Sequence, residues 1–267
     1  MSEFIATYEP IIRSSVFLGL FLTLAATELF APRSEHVEAK GARWFTNWSI
    51  FIIDILVLRL AFKTAAVGIA VWASVNGYGL FNAVGWPLWL EGLIVFLILD
   101  FAVWASHVAS HKIPIFWRIH RMHHADTNID VTTALRFHPI EIMLSMLFKV
   151  AVIIALGAPA VAVIIFEIVL NGMAMFNHSN IKLPLGVDRF LRWLVVTPDM
   201  HRIHHSSEQP ETDSNYGFNL AIWDRIFATY TQEPKLGHDG IEIGLKEYQD
   251  KRPTQLPWSL SLPFRSQ

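Results

Sequence analysis

The sequence predicts an all-α integral membrane protein, a helical bundle of about four or five spans with a helical cap on one side. Hydrophobic residues make up 53% of the 267 residues and charged residues only 16%, whereas typical soluble domains carry about 25% charged residues. The mean hydropathy is +0.38, and several apolar runs approach the roughly 20 residues that cross a bilayer. Ten of the twelve histidines lie between positions 107 and 205. The apolar runs predict the bundle, and the histidine-rich segments predict the cap.

The first span is expected over Ile11–Ala31. This run is too long for the apolar core of a signal peptide, and no small-residue cleavage pattern follows a basic start. The segment Ser49–Val75 is long enough for a further span but contains Asp54, Arg59 and Lys63. We therefore predict either a tilted span with snorkelling cations or an interfacial helix followed by a shorter insertion.

The remaining spans are predicted over Trp86–Ser106, Ile142–Leu156 and Val161–Phe176. The last two form a helical hairpin, because the sequence Gly157-Ala158-Pro159 between them is typical of a turn.

Basic residues alternate between the predicted loops. They follow the first span, are absent from residues 76–85 and from the hairpin turn, and recur throughout the histidine-rich segments. Because positive charge favours the cytoplasmic side, we expect the histidines there and the amino terminus outside.

Charge and cysteine content exclude several functions. The net charge of -2 lacks the basic excess needed to bind a phosphate backbone, so no nucleic-acid partner is expected. The sequence has no cysteine, which removes disulfides, thiolate ligands and Fe–S clusters. Any metal must be held by nitrogen and oxygen.

Three histidine motifs indicate a metal site. HVASH, HRMHH and HRIHH space their histidines at i, i+3 or i+4, positions that share one face of a helix, and neutral imidazole is the commonest protein metal ligand. The eight histidines are His107, His111, His120, His123, His124, His201, His204 and His205.

Eight imidazoles exceed the needs of one ion, since tetrahedral zinc takes four ligands, so we predict two metal ions. His138 and His178 lie between the HxxHH motifs and raise the set to ten, or five per ion. His36 and His238 stand alone and are expected to be solvated. Zinc has no redox chemistry, whereas an iron pair with open coordination could activate O2; this choice rests on chemical plausibility.

Polar residues near the motifs are candidates for orienting the ligands. Asp100 lies two turns before His107 on the same helix face; alternatively, it caps a neighbouring helix. Asp213, Asn215 and Tyr216 could orient the third motif or belong to a loop with Asx turns. Asp199, just before HRIHH, is a further candidate. The interleaved basic residues are interpreted as interfacial anchors in preference to carboxylate-binding groups: Arg118, Arg121 and Arg202.

The motifs HVASH, HRMHH, TALRFHPIE, FNHSN, TPDMHRIHH and SNYGFNLAIWDRIF resemble, in this order, the fatty acid hydroxylase superfamily of membrane di-iron oxygenases, in particular its bacterial sterol desaturase branch. The resemblance implies a single domain over residues 1–267, with a catalytic core at about 86–230 and a cytoplasmic tail at 231–267. It implies two iron ions, O2 as co-substrate, a membrane lipid substrate, and an inner-membrane location with the metal site on the cytoplasmic side.

The implied reaction is hydroxylation or desaturation of a fatty acyl, sterol or related lipid. His138-Pro139 is followed by Ile140 and Glu141, not by the two glycines of a cytochrome b5 motif, and no GxGxxG fingerprint is present. We therefore expect a separate electron donor of cytochrome b5, ferredoxin or reductase type. Two alternatives are a metal-dependent lipid hydrolase and a metal transporter.

Overall fold

The computed structural model describes residues 2–35, 40–62 and 66–265, with side chains from residue 8 onward. His36 and Lys63 lie outside the described residues. Within them the regular structure is helical, and β-pairing is confined to three isolated bridges. The helices are α1 (Ser2–Phe30), α2 (Lys40–Ala61), α3 (Ala66–Val75), α4 (Leu80–Val84), α5 (Leu88–Lys112), α6 (Pro114–His124), α7 (Pro139–Leu156), α8 (Ala160–His178), α9 (Leu185–Leu191), α10 (Pro198–His204), α11 (Gln209–Thr212), α12 (Ile222–Ile226), α13 (Gly237–Gly240) and α14 (Leu256–Ser261).

Four of the described helices are long and apolar enough to cross a membrane: α1 from Tyr8, α5, α7 and α8. They correspond to the four predicted spans, and the prediction of an all-helical integral membrane protein is confirmed. The segment Ser49–Val75 is divided, because α2 ends at Ala61 and α3 begins at Ala66. It therefore has the form of a helix followed by a shorter one.

The turn of the α7–α8 hairpin packs against the loop before α4. Gly157 ends α7 in the left-handed conformation (φ 63°), and its N–H donates to the carbonyls of Ile153 and Ile154. Gly79 also has positive φ (95°), and a Cβ there would lie 2.0 Å from the backbone nitrogen of Gly157. Glycine is needed at both positions, because the backbones approach too closely for a side chain.

An ion-pair network joins three of the spans. Arg13 of α1 lies 2.8 Å from Glu167 of α8, and Lys149 of α7 contacts the other carboxylate oxygen of Glu167 at 2.7 Å. Charged groups within a bilayer need such partners, so the network fixes α1 and α7 against α8.

The cap is built around buried charges and the carboxyl-terminal tail. Arg43 is fully buried and pairs with Asp126 and Asp130 at 2.7 and 2.8 Å. Trp258 and Leu262 of the tail pack on the core beside α6, and Arg121 donates to the Leu262 carbonyl at 2.7 Å. Arg121 is thus a buried link to the tail, not the interfacial anchor that we predicted.

Candidate metal centre

Nine histidines converge at one end of the bundle in two groups, and the candidate ligand atoms within each group all lie within 4.8 Å of one another. All nine are buried. We name the groups site A, comprising His107, His111, His120, His124 and His204, and site B, comprising His123, His178, His201 and His205.

The two HxxHH motifs divide their histidines reciprocally. On α6, the i and i+4 residues His120 and His124 join site A, whereas the i+3 residue His123 joins site B. In the second motif the i residue His201 of α10 and the i+4 residue His205, which caps α10, belong to site B, and the i+3 residue His204 belongs to site A. Each motif therefore contributes to both sites, because a 100° step per residue separates i+3 from the i, i+4 pair.

The end of α5 completes site A with His107 and His111, and His178, the last residue of α8, completes site B. The metal-site candidates thus lie where the spans meet the cap.

Backbone carbonyls fix the protonation of four of these imidazoles. A carbonyl only accepts a hydrogen bond, so each Nδ1 that faces one carries the proton and leaves the lone pair on Nε2. The contacts are His107 to Tyr216 (2.7 Å), His204 to Ser214 (2.7 Å), His123 to Arg136 (3.2 Å) and His178 to Ala174 (2.7 Å).

His120 differs from these four, because its Nδ1 faces a carboxylate. It lies 2.6 Å from Oε1 of Glu141, near the start of α7. A carboxylate in this position orients the ring and makes Nε2 a stronger ligand than a carbonyl does.

The Nε2 lone pairs face one another. His107 Nε2 lies 3.1 Å from Nε2 of both His204 and His120, and in site B the same distance separates His178 from His123 and from His201. Two lone pairs at this distance repel unless a proton or a cation lies between them.

Protonation is disfavoured at this position. Burial, reinforced by neighbouring imidazoles, holds the pKa of His123 and His201 well below its usual value, and burial lowers that of His204 to about 3. These three imidazoles are therefore neutral at physiological pH, and neutral imidazole is the ligating form.

The nitrogen spacing suits a metal ion. Two nitrogens about 2.1 Å from one ion and about 90° apart would lie about 3.0 Å from each other, close to the 3.1 Å found. Both ring nitrogens of His111 and of His205 are buried without a hydrogen-bond partner among the described residues. Such unpaired nitrogens are costly, and coordination of an ion would satisfy one nitrogen of each ring.

Comparison with known proteins places this site in a family. Residues 92–229 match the family model described as fatty acid hydroxylase. The chain belongs to the fatty acid hydroxylase family. The predicted membership of this superfamily is confirmed, and the matched segment includes all nine converging histidines.

Three relatives illustrate the range of the family. An ornithine lipid hydroxylase of Rhizobium tropici is 30% identical over 162 residues, covering 59% of this chain and 47% of that protein. An alkylglycerol monooxygenase of Xenopus tropicalis is 34% identical over 149 residues (55% and 31%). A very-long-chain aldehyde decarbonylase of Oryza sativa is 24% identical over 243 residues (84% and 37%). The chain thus covers less than half the length of these relatives, and no solved structure matches it significantly.

His138 belongs to neither site A nor site B. This corrects our prediction that ten histidines, including His138, bind the metal ions. Its Nδ1 accepts a hydrogen bond from the backbone N–H of Ile140, and its Nε2 lies 3.2 Å from the Leu260 carbonyl. His138 is the N-cap of α7, so both ring nitrogens serve the backbone. The candidate set is therefore five plus four.

Asp100 does not orient His107, contrary to our first interpretation. Its Oδ2 accepts from the indole N–H of Trp223 at 2.8 Å and from the backbone N–H of Leu220 at 3.3 Å. Asp100 thus fastens the segment around the start of α12 to α5, but it does not cap that helix, whose N-cap Ala221 has no side-chain cap. The Tyr216 carbonyl, not Asp100, contacts Nδ1 of His107.

The other polar candidates have different positions. Asp213 Oδ1 lies 3.5 Å from His111 Nδ1, and the Tyr216 ring packs edge-on against His107, His111 and His204. Asn215 donates to the Met200 carbonyl and holds its loop on α10. Asp199 pairs with Arg33 at 3.0 Å, and no contact joins it to the nine histidines among the described residues.

Sequence reasoning missed Glu141 and the four carbonyl acceptors. A signal for Glu141 existed, because Pro139 at the first helical position marks a helix start and places Glu141 in the first turn. Backbone carbonyls have no residue-specific signal.

Proposed function

We propose that the chain is a membrane-bound di-iron oxidoreductase that uses O2 and external electrons to hydroxylate, or desaturate, a C–H bond of a lipid. The observation that carries the proposal is the pair of buried, all-imidazole sites with Nε2 lone pairs converging in each. The names of two relatives, a lipid hydroxylase and a monooxygenase, support this reaction class.

Nine imidazoles and no thiolate suit iron among the redox-active metals. Iron at sites A and B would supply the activation of O2 that zinc cannot provide. The chain's own residues orient five of the nine imidazoles through Nδ1, and burial of all nine excludes bulk water from the reaction.

The balanced hydroxylation is R–H + O2 + 2 e⁻ + 2 H⁺ → R–OH + H2O. We propose that the two electrons come from a separate donor of cytochrome b5, ferredoxin or reductase type that docks on the cytoplasmic side. We also propose a bacterial inner-membrane location with the cap in the cytoplasm; the basic loops support this orientation.

The test combines iron analysis with isotope labelling. Purified protein should hold two iron ions and, with a chemical reductant and lipid extract, transfer one atom of ¹⁸O2 into a hydroxylated lipid. The control reaction uses unlabelled O2 in labelled water. Label from water would indicate the alternative of a lipid hydrolase, and iron below two equivalents with no oxygen consumption would contradict the proposal.

The two alternatives fit the geometry less well. A hydrolase of the HExxH type uses a carboxylate as general base, and neither HxxHH motif contains one. A transporter needs ligands along a path through the bilayer, whereas the nine histidines gather at one end of the spans.

A further inference from the structure

A cavity of about 300 Å³ lies next to site B, where α1 ends and α9 begins. It is lined by Arg33, Lys182, Leu183, Pro184, Leu185 and Asp199. Asp199 precedes His201 by two residues, so their Cα atoms are within about 7 Å of each other. No step of the proposed reaction yet uses this cavity.

Backbone pairing between two segments forms the polar wall of this cavity. Pro32 forms an isolated antiparallel bridge with Ile181, supported by hydrogen bonds from Arg33 N–H to the Asn180 carbonyl and from Lys182 N–H to the Ala31 carbonyl. Side chains alternate along extended backbone. Arg33 and Lys182 consequently lie on one face of the bridge, opposite the buried Ile181.

The charges around this wall favour an anion. Asp199 and Asp239 hold the Arg33 guanidinium at 3.0 and 2.7 Å, while the Lys182 side chain is exposed. Arg202 is 5% exposed, and its Nε and Nη1 have no hydrogen-bond partner among the described residues. Arg202 does not line the cavity, whose lining therefore has two cations, on Arg33 and Lys182, and one carboxylate, on Asp199. The Asp239 carboxylate that also pairs with Arg33 is 91% exposed and screened by solvent.

The rest of the cavity lining is apolar and consists of Leu183, Pro184 and Leu185. Leu185, 72% exposed, begins α9, and Phe190, Trp193 and Leu194 nearby in the chain are also exposed; we name these four exposed side chains the α9 strip. Tryptophan beside aliphatic residues is typical of the membrane–water interface. A ligand that fills the cavity therefore meets cations on one side and lipid-like surface on the other.

We propose that the cavity binds the anionic headgroup of a lipid, with the phosphate or carboxylate between Lys182 and Arg33 and the chains along the α9 strip. This inference rests on the proposed function and deepens it: the substrate class becomes amphiphiles with an anionic headgroup, and sterols and carotenoids, which lack one, become poor ligands. Asp199 acts as a positioning residue that holds Arg33 toward the headgroup.

The experiment uses isothermal titration calorimetry to measure the binding of two short-chain lipids to the full chain in neutral detergent. The two lipids, dihexanoyl phosphatidic acid and dihexanoylglycerol, differ only by a phosphate. Phosphatidic acid should bind at least tenfold more tightly than the diacylglycerol. Lys182→Ala should lower its affinity about tenfold, because one charge-assisted contact is lost, and should leave diacylglycerol binding unchanged. The matched control, Arg189→Ala, removes an exposed cation of α9 that does not line the cavity and should change neither affinity.

Inorganic phosphate separates a headgroup site from a free-anion site. Phosphate should bind far more weakly than phosphatidic acid, and Leu185→Ser should weaken only the lipid. Equal binding of the two lipids, equal effects of Lys182→Ala and Arg189→Ala, or phosphate binding as tight as that of phosphatidic acid would each overturn the proposal. None of these measurements needs iron or O2, so their failure leaves the iron content and the ¹⁸O result as independent tests of the proposed function.

Discussion

Glu141 should control the affinity of site A for metal. Its carboxylate lies 2.6 Å from Nδ1 of His120, whereas the other fixed imidazoles face neutral carbonyls. Glu141→Gln keeps an acceptor but removes the charge, and Glu141→Ala removes both. Loss of such a partner generally costs 10- to 100-fold in metal affinity, so we expect about tenfold weaker binding in the glutamine variant and about 100-fold in the alanine variant.

The assay is anaerobic titration of metal-free protein with Fe²⁺ against a competing chelator, which resolves two binding steps. Only one step should weaken, because Glu141 contacts site A alone among the nine histidines of the described structure. A purely structural role would lower thermal stability and both binding steps together. The reasoning is refuted if both variants bind two ions with wild-type affinity, or if the alanine variant binds more tightly than the glutamine variant.

Three further outcomes are expected. His123→Ala should reduce bound iron from two ions to one and abolish oxygen uptake, whereas His138→Ala should retain both ions. Equal iron contents in the two variants would contradict the assignment of His123, and not His138, to a metal site. Arg43→Leu should destabilise the cap by about 3–5 kcal/mol, since it removes the guanidinium that pairs with two buried carboxylates. The exposed control Arg252→Leu should cost under about 1 kcal/mol, and thermal unfolding in detergent distinguishes the two variants. Burial raises the pKa of Asp130, but the Arg43 charge and the hydrogen bonds from Thr132, Arg43 and Trp44 together outweigh burial and lower this pKa to about 2. The contribution of the pair should therefore be constant above about pH 5 and be lost as pH falls from about 4 toward 2; a loss centred above pH 5 would contradict it.

The spacing of the histidines predicted that they converge, but not that each HxxHH motif contributes to both sites. HxxHH places three imidazoles toward one side of a helix, and this alone suggests that a motif serves one site. In the structure His123 belongs to site B although its motif partners His120 and His124 belong to site A. The 100° step between neighbouring residues allows this division, but the direction of each ring depends on how α6 and α10 pack, which the sequence pattern does not contain.

Two errors have different origins: a contact between distant segments in the case of Asp100, and a local helix cap in the case of His138. Asp100 lies on the same face of α5 as His107. Its carboxylate nevertheless accepts hydrogen bonds from Trp223 and Leu220, which lie over a hundred residues later in the sequence. His138 precedes a proline at the first position of α7, and this local signal favoured an N-cap over a ligand. Asn215, with φ 52°, turns the chain so that the Tyr216 carbonyl reaches His107; asparagine tolerates this conformation, so a turn was predictable there but its partner was not.

The reciprocal division explains why the geometry of the two sites is coupled. The motifs of α6 and α10 each provide ligands to both sites. The distance between the two ions would therefore be set by the fixed angle between the i+3 histidine and the i, i+4 pair in each of these two short helices, and not by flexible loops. A displacement of either helix would move ligands of both sites together. Backbone carbonyls of residues 214 and 136 hold the rings of His204 and His123, respectively. The cap and its tail keep these segments in place. For example, the Arg136 guanidinium donates to the Pro253 carbonyl of the tail at 2.8 Å. Damage to the tail should therefore act on the metal centre first through the orientation of the site B imidazoles, before any ligand is lost.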